Sequence, residues 1–306
     1  MIAGSVIVAA GVLAVPSWAL SASTRSRSEG APAATPARVT YYLAVGASES
    51  VGYQPLAGRR RGAPTTQGYA NDLLARERSR WPGLRLVQVG CPGETAVAAV
   101  EGGGPCAYPA GSQLATAVQF LRTHRPATVL VTVDLGFNDI ERCLRARSAG
   151  PRCVARRLAG VRRVLPGAVS RLQAAGGPAM RVVGLEHADP FVARFLAGRR
   201  GRTFAATSLT VLQRLNDTLR RVYRAAGVAV ADVPRFYGTA DQRLTRLAGH
   251  GAVPLGVARD CHYTWECGRA PFAPNLHPNA RGYRAIAGAI AAAVGTRVGG
   301  QAADVR

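Results

Sequence analysis

The chain has 306 residues, of which 48% are hydrophobic and 18% are charged, so it can bury a core and is not globally disordered. Its formal net charge is +22, and all of the basic residues behind it are arginines, because the sequence contains no lysine. The arginines form short scattered clusters without interleaved aromatic residues, which argues against a nucleic-acid-binding surface. An anionic cell-envelope surface is compatible with this charge as a partner, and we expect a monomer.

The first 20 residues form an uncharged, apolar segment that is typical of a secretory signal peptide. Pro16 interrupts this segment, and the small residues Ser17 and Ala19 fit the two positions that a signal peptidase reads. Because no basic residue precedes the segment, an uncleaved membrane anchor is the alternative. Residues 21–38 are rich in Ser, Ala and Pro and predict a flexible linker. The N-terminus therefore predicts a secreted or extracytoplasmic protein.

Beyond the linker, short β-branched segments alternate with segments of helical periodicity. Strands separated by helices predict βαβ units, and hence an α/β fold with a mostly parallel sheet. We expect one domain over residues 39–296 and a disordered tail over 297–306. The predicted strands are Val39–Val45, Leu84–Val89, Ala127–Val133, Met180–Leu185 and Val228–Ala231, and the predicted helices are Tyr69–Arg80, Ser112–His124, Val154–Ala175, Leu209–Ala226 and Asn279–Val294.

Six cysteines also favour an oxidising compartment. They fall into three local pairs, and pairing between neighbours is the simplest arrangement, although the sequence alone does not select one connectivity. The alternative is a zinc site formed by Cys261, Cys267 and nearby histidines, but this spacing matches no common zinc signature. The local pairs are Cys91 and Cys106, Cys143 and Cys153, and Cys261 and Cys267.

Four polar stretches follow predicted strands or precede the last helix: Gly46–Ser50, Gly90–Thr95, Gly136–Asp139 and Pro274–Asn279. In an open parallel sheet, ligands bind beyond the carboxyl ends of the strands, so we look for chemistry in these stretches. Each stretch alone also fits a purely structural role. These roles are a plain turn, a turn pinned by a disulfide, an asparagine helix cap and a structural histidine.

The order of these stretches is more specific than any one of them. A Ser after the first strand, a Gly after the second, Gly-x-Asn-Asp after the third and His-Pro-Asn before the final helix together resemble the SGNH (GDSL) hydrolase family. The stretches YLAVGASESVGYQP, CPGET, GFND and HPNARGY carry this resemblance over about residues 40–295. It implies a three-layer α/β/α, flavodoxin-like fold that works without a metal or another cofactor.

Position by position, the resemblance assigns a role to four residues. Ser48 is implied as the nucleophile and His277 as the general base. The Ser48 amide, the Gly93 amide and the Asn138 side chain are implied as the oxyanion hole. Such a site transfers an acyl group to water, and its donors stabilise the tetrahedral intermediate.

Two departures from the family pattern concern residues beside the nucleophile and the base. Ala47 stands where the family usually has Asp. The acid that orients the histidine usually lies three or two residues before it, and these positions hold Pro274 and Asn275. Three acceptors for the histidine N–H are therefore open: the Pro274 carbonyl oxygen, which we prefer, the Asn275 amide oxygen and a displaced Asp260 carboxylate.

The sequence thus predicts a secreted serine esterase or lipase. Its expected substrates are carboxylic esters of a lipid or an acylated glycan, and the sequence does not distinguish between them. The alternative is a non-catalytic protein of the same fold that binds cell-wall glycan or anionic lipid. The missing carboxylate and the arginine-rich surface motivate this alternative.

Overall fold

A computed structural model of the protein describes residues 38–57, 62–145 and 150–295. All of these residues lie in one compact unit, Ala37–Arg306. The predicted signal peptide or anchor over 1–20, the predicted linker over 21–38 apart from its last residue, and the predicted tail over 297–306 lie outside the described residues.

Five parallel strands form the central sheet in the order β2-β1-β3-β4-β5. This order is the flavodoxin-like one, and it confirms the predicted α/β fold. All five predicted strands are present, with ends that differ by at most one residue. The strands are β1 Thr40–Gly46, β2 Leu84–Gln88, β3 Thr128–Asp134, β4 Arg181–Leu185 and β5 Ala229–Ala231.

Helices cover both faces of the sheet, as the strand pattern predicts for parallel strands. Several begin at side-chain caps. The Ser112 hydroxyl accepts a hydrogen bond from Ala115 N, and the Asn279 side chain accepts bonds from the amides of Arg281 and Gly282. The helices are α1 Tyr69–Glu77, α2 Ala96–Glu101, α3 Gln113–Thr123, α4 Phe137–Arg145, α5 Pro151–Gly176, α6 Gly198–Ala225, α7 Val233–Tyr237, α8 Leu255–Tyr263 and α9 Ala280–Gly295.

The two faces of the sheet carry separate hydrophobic cores because strand side chains alternate in direction. On β1, Leu43 and Val45 pack with residues of α2, α3, α5 and α6, while Tyr42 and Ala44 pack with residues of α1, α7 and α9. All four side chains are buried. This arrangement gives the three layers that the family resemblance implied.

The structure adds elements that periodicity did not predict. Helix α6 begins at Gly198, well before the predicted start at Leu209. The prediction missed its first turns because they are rich in arginine and show no obvious apolar stripe. Helices α2 and α7 are too short to show a helical repeat, and α4 and α8, each as long as α1, were not predicted either. An antiparallel hairpin, β6 Leu244–Leu247 with β7 Gly251–Pro254, lies outside the main sheet.

Three disulfides join the neighbouring cysteines: Cys91–Cys106, Cys143–Cys153 and Cys261–Cys267. This pairing confirms the simplest arrangement. It also removes the alternative zinc site, because Cys261 and Cys267 are bonded to each other rather than available to a metal. Within the described ranges, no helix is both long and apolar enough to span a membrane.

Candidate active site

A cavity of about 660 Å³ opens beyond the carboxyl ends of β1 and β3, between which the strand order reverses. This reversal is where ligands bind in open α/β sheets. The cavity brings together residues that are far apart in the sequence. The predicted site residues among those that line it are Ser48, Gly93, Asn138, Pro274, Asn275 and His277.

Ser48 lies on a sharp turn between β1 and a short 3-10 helix, Glu49–Val51. The Ala47 amide donates to the Asp134 carbonyl oxygen at 3.1 Å, and the Ser50 hydroxyl donates to the Ala47 carbonyl oxygen at 2.7 Å. The first bond holds the turn against β3, and the second closes the turn internally. Among the described residues, no hydrogen bond occupies the Ser48 hydroxyl, so it is free to react.

A buried glutamine that the sequence did not single out holds the end of β1. The Gln113 side chain accepts from Gly46 N and donates to Gly46 O, each at 3.0 Å, as a neighbouring strand would. Tyr108 extends this contact by accepting from the Gln113 amide and donating to the Val89 carbonyl oxygen, both at 2.8 Å. Gln113 therefore connects the start of the Ser48 turn to helix α3.

Gly93 and Asn138, the other two implied oxyanion donors, lie on adjoining segments. Gly93 has a φ of +83°, a conformation that favours glycine. The Asn138 amide nitrogen donates to the Glu94 carbonyl oxygen at 2.9 Å, and the Asp139 carboxylate accepts from Ala96 N at 2.7 Å. These bonds lock the first turn of α4 to the Gly93 loop. Because a side-chain amide has two N–H donors, Asn138 keeps one for a ligand.

His277 is oriented by Asn275. The Asn275 side-chain oxygen lies 2.7 Å from His277 Nδ1 and accepts from the His277 amide at 3.0 Å. An amide oxygen only accepts, so Nδ1 carries the hydrogen and Nε2 keeps a lone pair. The preferred acceptor, the Pro274 carbonyl oxygen, is thus not the partner in the structure. Nor is Asp260, whose carboxylate accepts from Ala193 N at 3.3 Å.

The imidazole of His277 is neutral at pH 7. Burial, and to a smaller extent the positive charge of Arg145, lowers its pKa to about 4. A neutral imidazole with a lone pair on Nε2 can accept a proton, which is what a general base requires.

Several hydrogen bonds join the loop that carries His277 to the residues that follow Ser48. Trp265 N donates to the His277 carbonyl oxygen at 3.1 Å, and the Trp265 indole N–H donates to the Gln54 side chain at 2.7 Å. The Tyr283 hydroxyl donates to the Tyr53 carbonyl oxygen at 2.7 Å. The Tyr53 ring lies 4.5 Å from the His277 ring, centroid to centroid. These contacts place His277 beside the Ser48 turn.

Comparison with known proteins identifies the family of this chain. The model of the GDSL-like Lipase/Acylhydrolase family matches residues 44–285, which is most of the chain. The chain belongs to this family. No protein among the curated sequences matches it.

Solved structures with the same fold share little sequence with this GDSL-family protein. The phospholipase A1 from Streptomyces albidoflavus NA297 is 17% identical with a TM-score of 0.50, over 83% of this chain and 99% of that chain. The lipase Lip_vut3 from a goat rumen metagenome is 13% identical with a TM-score of 0.49, over 85% and 100%. The aryl esterase of M. smegmatis is 14% identical with a TM-score of 0.47, over 84% and 98%. At 17% identity, the similarity to the phospholipase A1 shows a shared fold and nothing more.

The cavity of the GDSL-family protein also contains three titratable residues that the sequence did not link: Glu49, Asp134 and His187. Burial raises the pKa of Asp134 to about 7 and lowers that of His187 to about 4. Burial, followed by the nearby charge of Asp134, raises the pKa of Glu49 well above its usual range. No pattern in the sequence joins these residues, because each follows a different strand.

Proposed function

We propose that the protein is a carboxylic ester hydrolase in which Ser48 is the nucleophile and His277 the general base. The observation that carries this proposal is the hydrogen bond from His277 Nδ1 to Asn275. It leaves Nε2 as the proton acceptor in the cavity that Ser48 also lines. Membership of a lipase and acylhydrolase family supports the same class of reaction.

The proposed reaction has two steps. First, Ser48 Oγ attacks the carbonyl carbon of the ester while His277 Nε2 takes the hydroxyl proton. The tetrahedral intermediate then collapses, the bond to the alcohol oxygen breaks, and the imidazolium returns the proton to the departing alcohol. In the second step, water attacks the acyl-enzyme with His277 again as base, which releases the acid and restores Ser48.

The negative oxygen of each intermediate needs hydrogen-bond donors that are already in place. The remaining N–H of Asn138 and the backbone amides of Gly93 and Ser48 fill this role in the proposal. The bond from Asn138 to Glu94 O and the positive φ of Gly93 fix two of these donors before substrate arrives. Each donor of this kind contributes about 3–4 kcal/mol to transition-state stabilisation.

The proposed setting is outside the cytosol, and the proposed substrate is an ester of a lipid or an acylated glycan. Three disulfides among six cysteines support export, because the cytosol keeps thiols reduced. The cavity of about 660 Å³ has room for an acyl chain or a sugar ring. Turnover across acyl chain lengths and acetylated sugars separates the two substrate classes.

A fluorophosphonate probe together with p-nitrophenyl esters tests the proposal. We expect the probe to label Ser48 in the folded protein and short esters to be hydrolysed, with both signals lost in Ser48→Ala. Ser79→Ala is the matched control, because Ser79 is an exposed serine whose hydroxyl bonds to the Arg76 carbonyl oxygen. Unlabelled Ser48 in folded wild-type protein, or equal turnover by Ser48→Ala, would contradict the proposal.

The same measurements address the non-catalytic alternative. The observation in its favour is that His277 has an amide rather than a carboxylate as its partner. A neutral acceptor stabilises the imidazolium less than a carboxylate does. Binding of glycan or anionic lipid without turnover of any ester would establish the alternative.

A further inference from the structure

Three ligand-type side chains converge at the inner end of the active-site cavity. Glu49 follows β1, Asp134 ends β3 and His187 follows β4, so three neighbouring strands deliver them to one place. One ligand atom of each lies within 4.8 Å of the others. Bonds of about 2.0–2.2 Å in tetrahedral geometry place ligand atoms about 3.3–3.6 Å apart, so the most widely separated pair would close by about 1 Å on binding.

The hydrogen bonds around His187 set which nitrogen faces the carboxylates. His187 Nε2 lies 3.2 Å from the Leu135 carbonyl oxygen, and a carbonyl oxygen only accepts. Nε2 therefore carries the hydrogen, and Nδ1 directs a lone pair toward Asp134 Oδ1 at 3.6 Å. Metal-binding histidines commonly donate their second N–H to a backbone carbonyl in this way.

Asp134 adds an independent observation. Its side chain is 2% exposed, and its Oδ2 accepts no hydrogen bond, although the Tyr69 hydroxyl and the Ser50 amide lie near the carboxylate. Within the described ranges, neither Asp134 nor Glu49 forms an ion pair with an arginine, in a chain of net charge +22. Two buried carboxyl groups without a countercharge are either protonated or bound to a cation, and a metal ion would take the place of the protons.

We propose that Glu49, Asp134 and His187 form a binding site for a divalent transition-metal cation, with Zn²⁺ as the reference ion. One imidazole and two carboxylates suit zinc, whereas calcium and magnesium prefer oxygen ligands throughout. Three protein ligands at a cavity wall also leave a coordination position for water or substrate. This site does not depend on the ester hydrolase proposal, because its ligands are neither Ser48 nor His277.

A bound ion would hold the nucleophile turn in place. Glu49 begins the 3-10 helix that directly follows Ser48, while Asp134 and His187 belong to segments of the rigid sheet. The His187 backbone is itself fixed, because its N–H donates to the Asn216 side chain at 2.9 Å and its carbonyl oxygen accepts from the same side chain at 2.8 Å. Cation binding should therefore raise the melting temperature of the folded chain.

Calorimetric titration of Zn²⁺ into the full chain, first stripped with EDTA and with its disulfides intact, tests the site. We expect saturable binding of one ion per chain, and a melting temperature that rises with Zn²⁺ concentration. His187→Gln and Asp134→Asn should each weaken binding at least tenfold. Glu49→Gln, at a less buried position, should do the same if either of the others fails to fold by circular dichroism. His262→Gln is the matched control, since its imidazole is exposed and lies outside the cavity, and it should bind as wild type does.

The outcomes separate this proposal from the proposed function. Ser48→Ala should lose ester turnover and keep Zn²⁺ binding, and a Co²⁺-loaded chain should show a d–d absorption band that His187→Gln shifts or removes. Ca²⁺ should bind at least tenfold more weakly than Zn²⁺. No saturable binding by wild type, binding unchanged in all folded ligand variants, or Ca²⁺ tighter than Zn²⁺ would overturn the assignment. The first of these outcomes would mean that protons neutralise the two carboxylates.

Discussion

The nucleophile turn around Ser48 and the loop that carries His277 are held by different kinds of structure. The Ser48 turn leaves the interior strand β1, which pairs with β2 and β3 on its two sides. The His277 loop belongs to no strand of the main sheet. A few backbone bonds to Tyr263 and Trp265, side-chain bonds from Trp265 and Asn279, and the Cys261–Cys267 disulfide hold it instead.

This difference affects how well each region tolerates the loss of a single side chain. Sheet pairing is distributed over many backbone bonds, so the Ser48 turn keeps its place when one side chain is lost. The His277 loop relies on fewer bonds, several of them from side chains, so each bond contributes a larger share to holding the loop in place. Substitutions in the loop should therefore reduce turnover more than they reduce stability.

The strongest test joins the two regions. Ser48→Ala and His277→Ala should each lower kcat/KM for p-nitrophenyl acetate by about 10³-fold or more, because each removes a group that changes bonding in the reaction. The double variant should lose little beyond either single one, since the two groups act as one unit. Losses that multiply would show that the regions act independently.

The donor at the start of α4 comes next in size. Asn138→Ala should lower kcat by about 10²–10³-fold and leave KM near the wild-type value, because the N–H serves the oxyanion and not the ground-state ester. Steady-state kinetics checks this. Asn138→Asp serves as a second variant of similar size without the N–H donor. An unchanged kcat in both would place the oxyanion hole elsewhere.

The pH profile examines the electrostatics of the His277 loop. A base whose pKa is lowered to about 4 is the unprotonated, active form above that pH. At pH 5 about 90% of the imidazole is then neutral, compared with about 3% for an ordinary histidine. We expect kcat/KM to be nearly full at pH 5 and half-maximal near pH 4. Arg145→Gln should move this limb upward, because Arg145 lowers the pKa; a wild-type limb near pH 6.5 would contradict the cause given.

The hydrogen bond that orients His277 has a smaller expected effect. Asn275→Ala should lower kcat/KM about tenfold, which is the worth of one hydrogen bond of about 1.4 kcal/mol. Asn275→Asp should raise the pKa of His277, since a carboxylate favours the imidazolium, and so shift the acid limb upward. Asp260→Asn should cost less than tenfold. A loss of about 10³-fold for Asp260→Asn with the fold intact would restore a carboxylate as the orienting group.

The smallest effect concerns the bond between Trp265 and Gln54. Trp265→Phe removes the indole donor and keeps most of the ring, so it should cost about 1 kcal/mol of unfolding free energy, or roughly 2–4 °C in melting temperature. Turnover should fall a few-fold because the loop that holds His277 loosens. Gln88→Leu, which removes a 2.7 Å bond to the Ser50 carbonyl oxygen, is the matching change at the nucleophile turn. Equal losses of turnover in both variants would erase the contrast between the two regions.

Sequence reasoning was accurate where the signal is local. The strands and the pairing of neighbouring cysteines depend on residues close in the chain, and the structure confirms them. The family assignment depends on the order of four short motifs and is also confirmed. The catalytic roles of Ser48 and His277 stay predictions until turnover is measured.

The sequence alone could not decide which of several possible hydrogen-bond partners a residue uses. Three acceptors for His277 lay within reach of the sequence argument, and the structure brings Asn275 rather than Pro274 or Asp260 to Nδ1. Gln113, which binds both polar groups of the Gly46 backbone, lies 67 positions away in the sequence. Such contacts depend on how α3 packs on β1.

The sequence by itself determined the α/β class and the strand positions, and its family resemblance implied the candidate catalytic groups. Hydrophobic periodicity encodes the strands and most of the longer helices, because burial acts on neighbouring residues of one element. Neighbour pairing was the simplest cysteine arrangement, and the tertiary structure selected it. The tertiary structure decided which acceptor orients His277 and how Glu49, Asp134 and His187 meet. Parallel strands place their carboxyl ends at one edge of the sheet, so residues far apart in the chain become neighbours only after the sheet has formed.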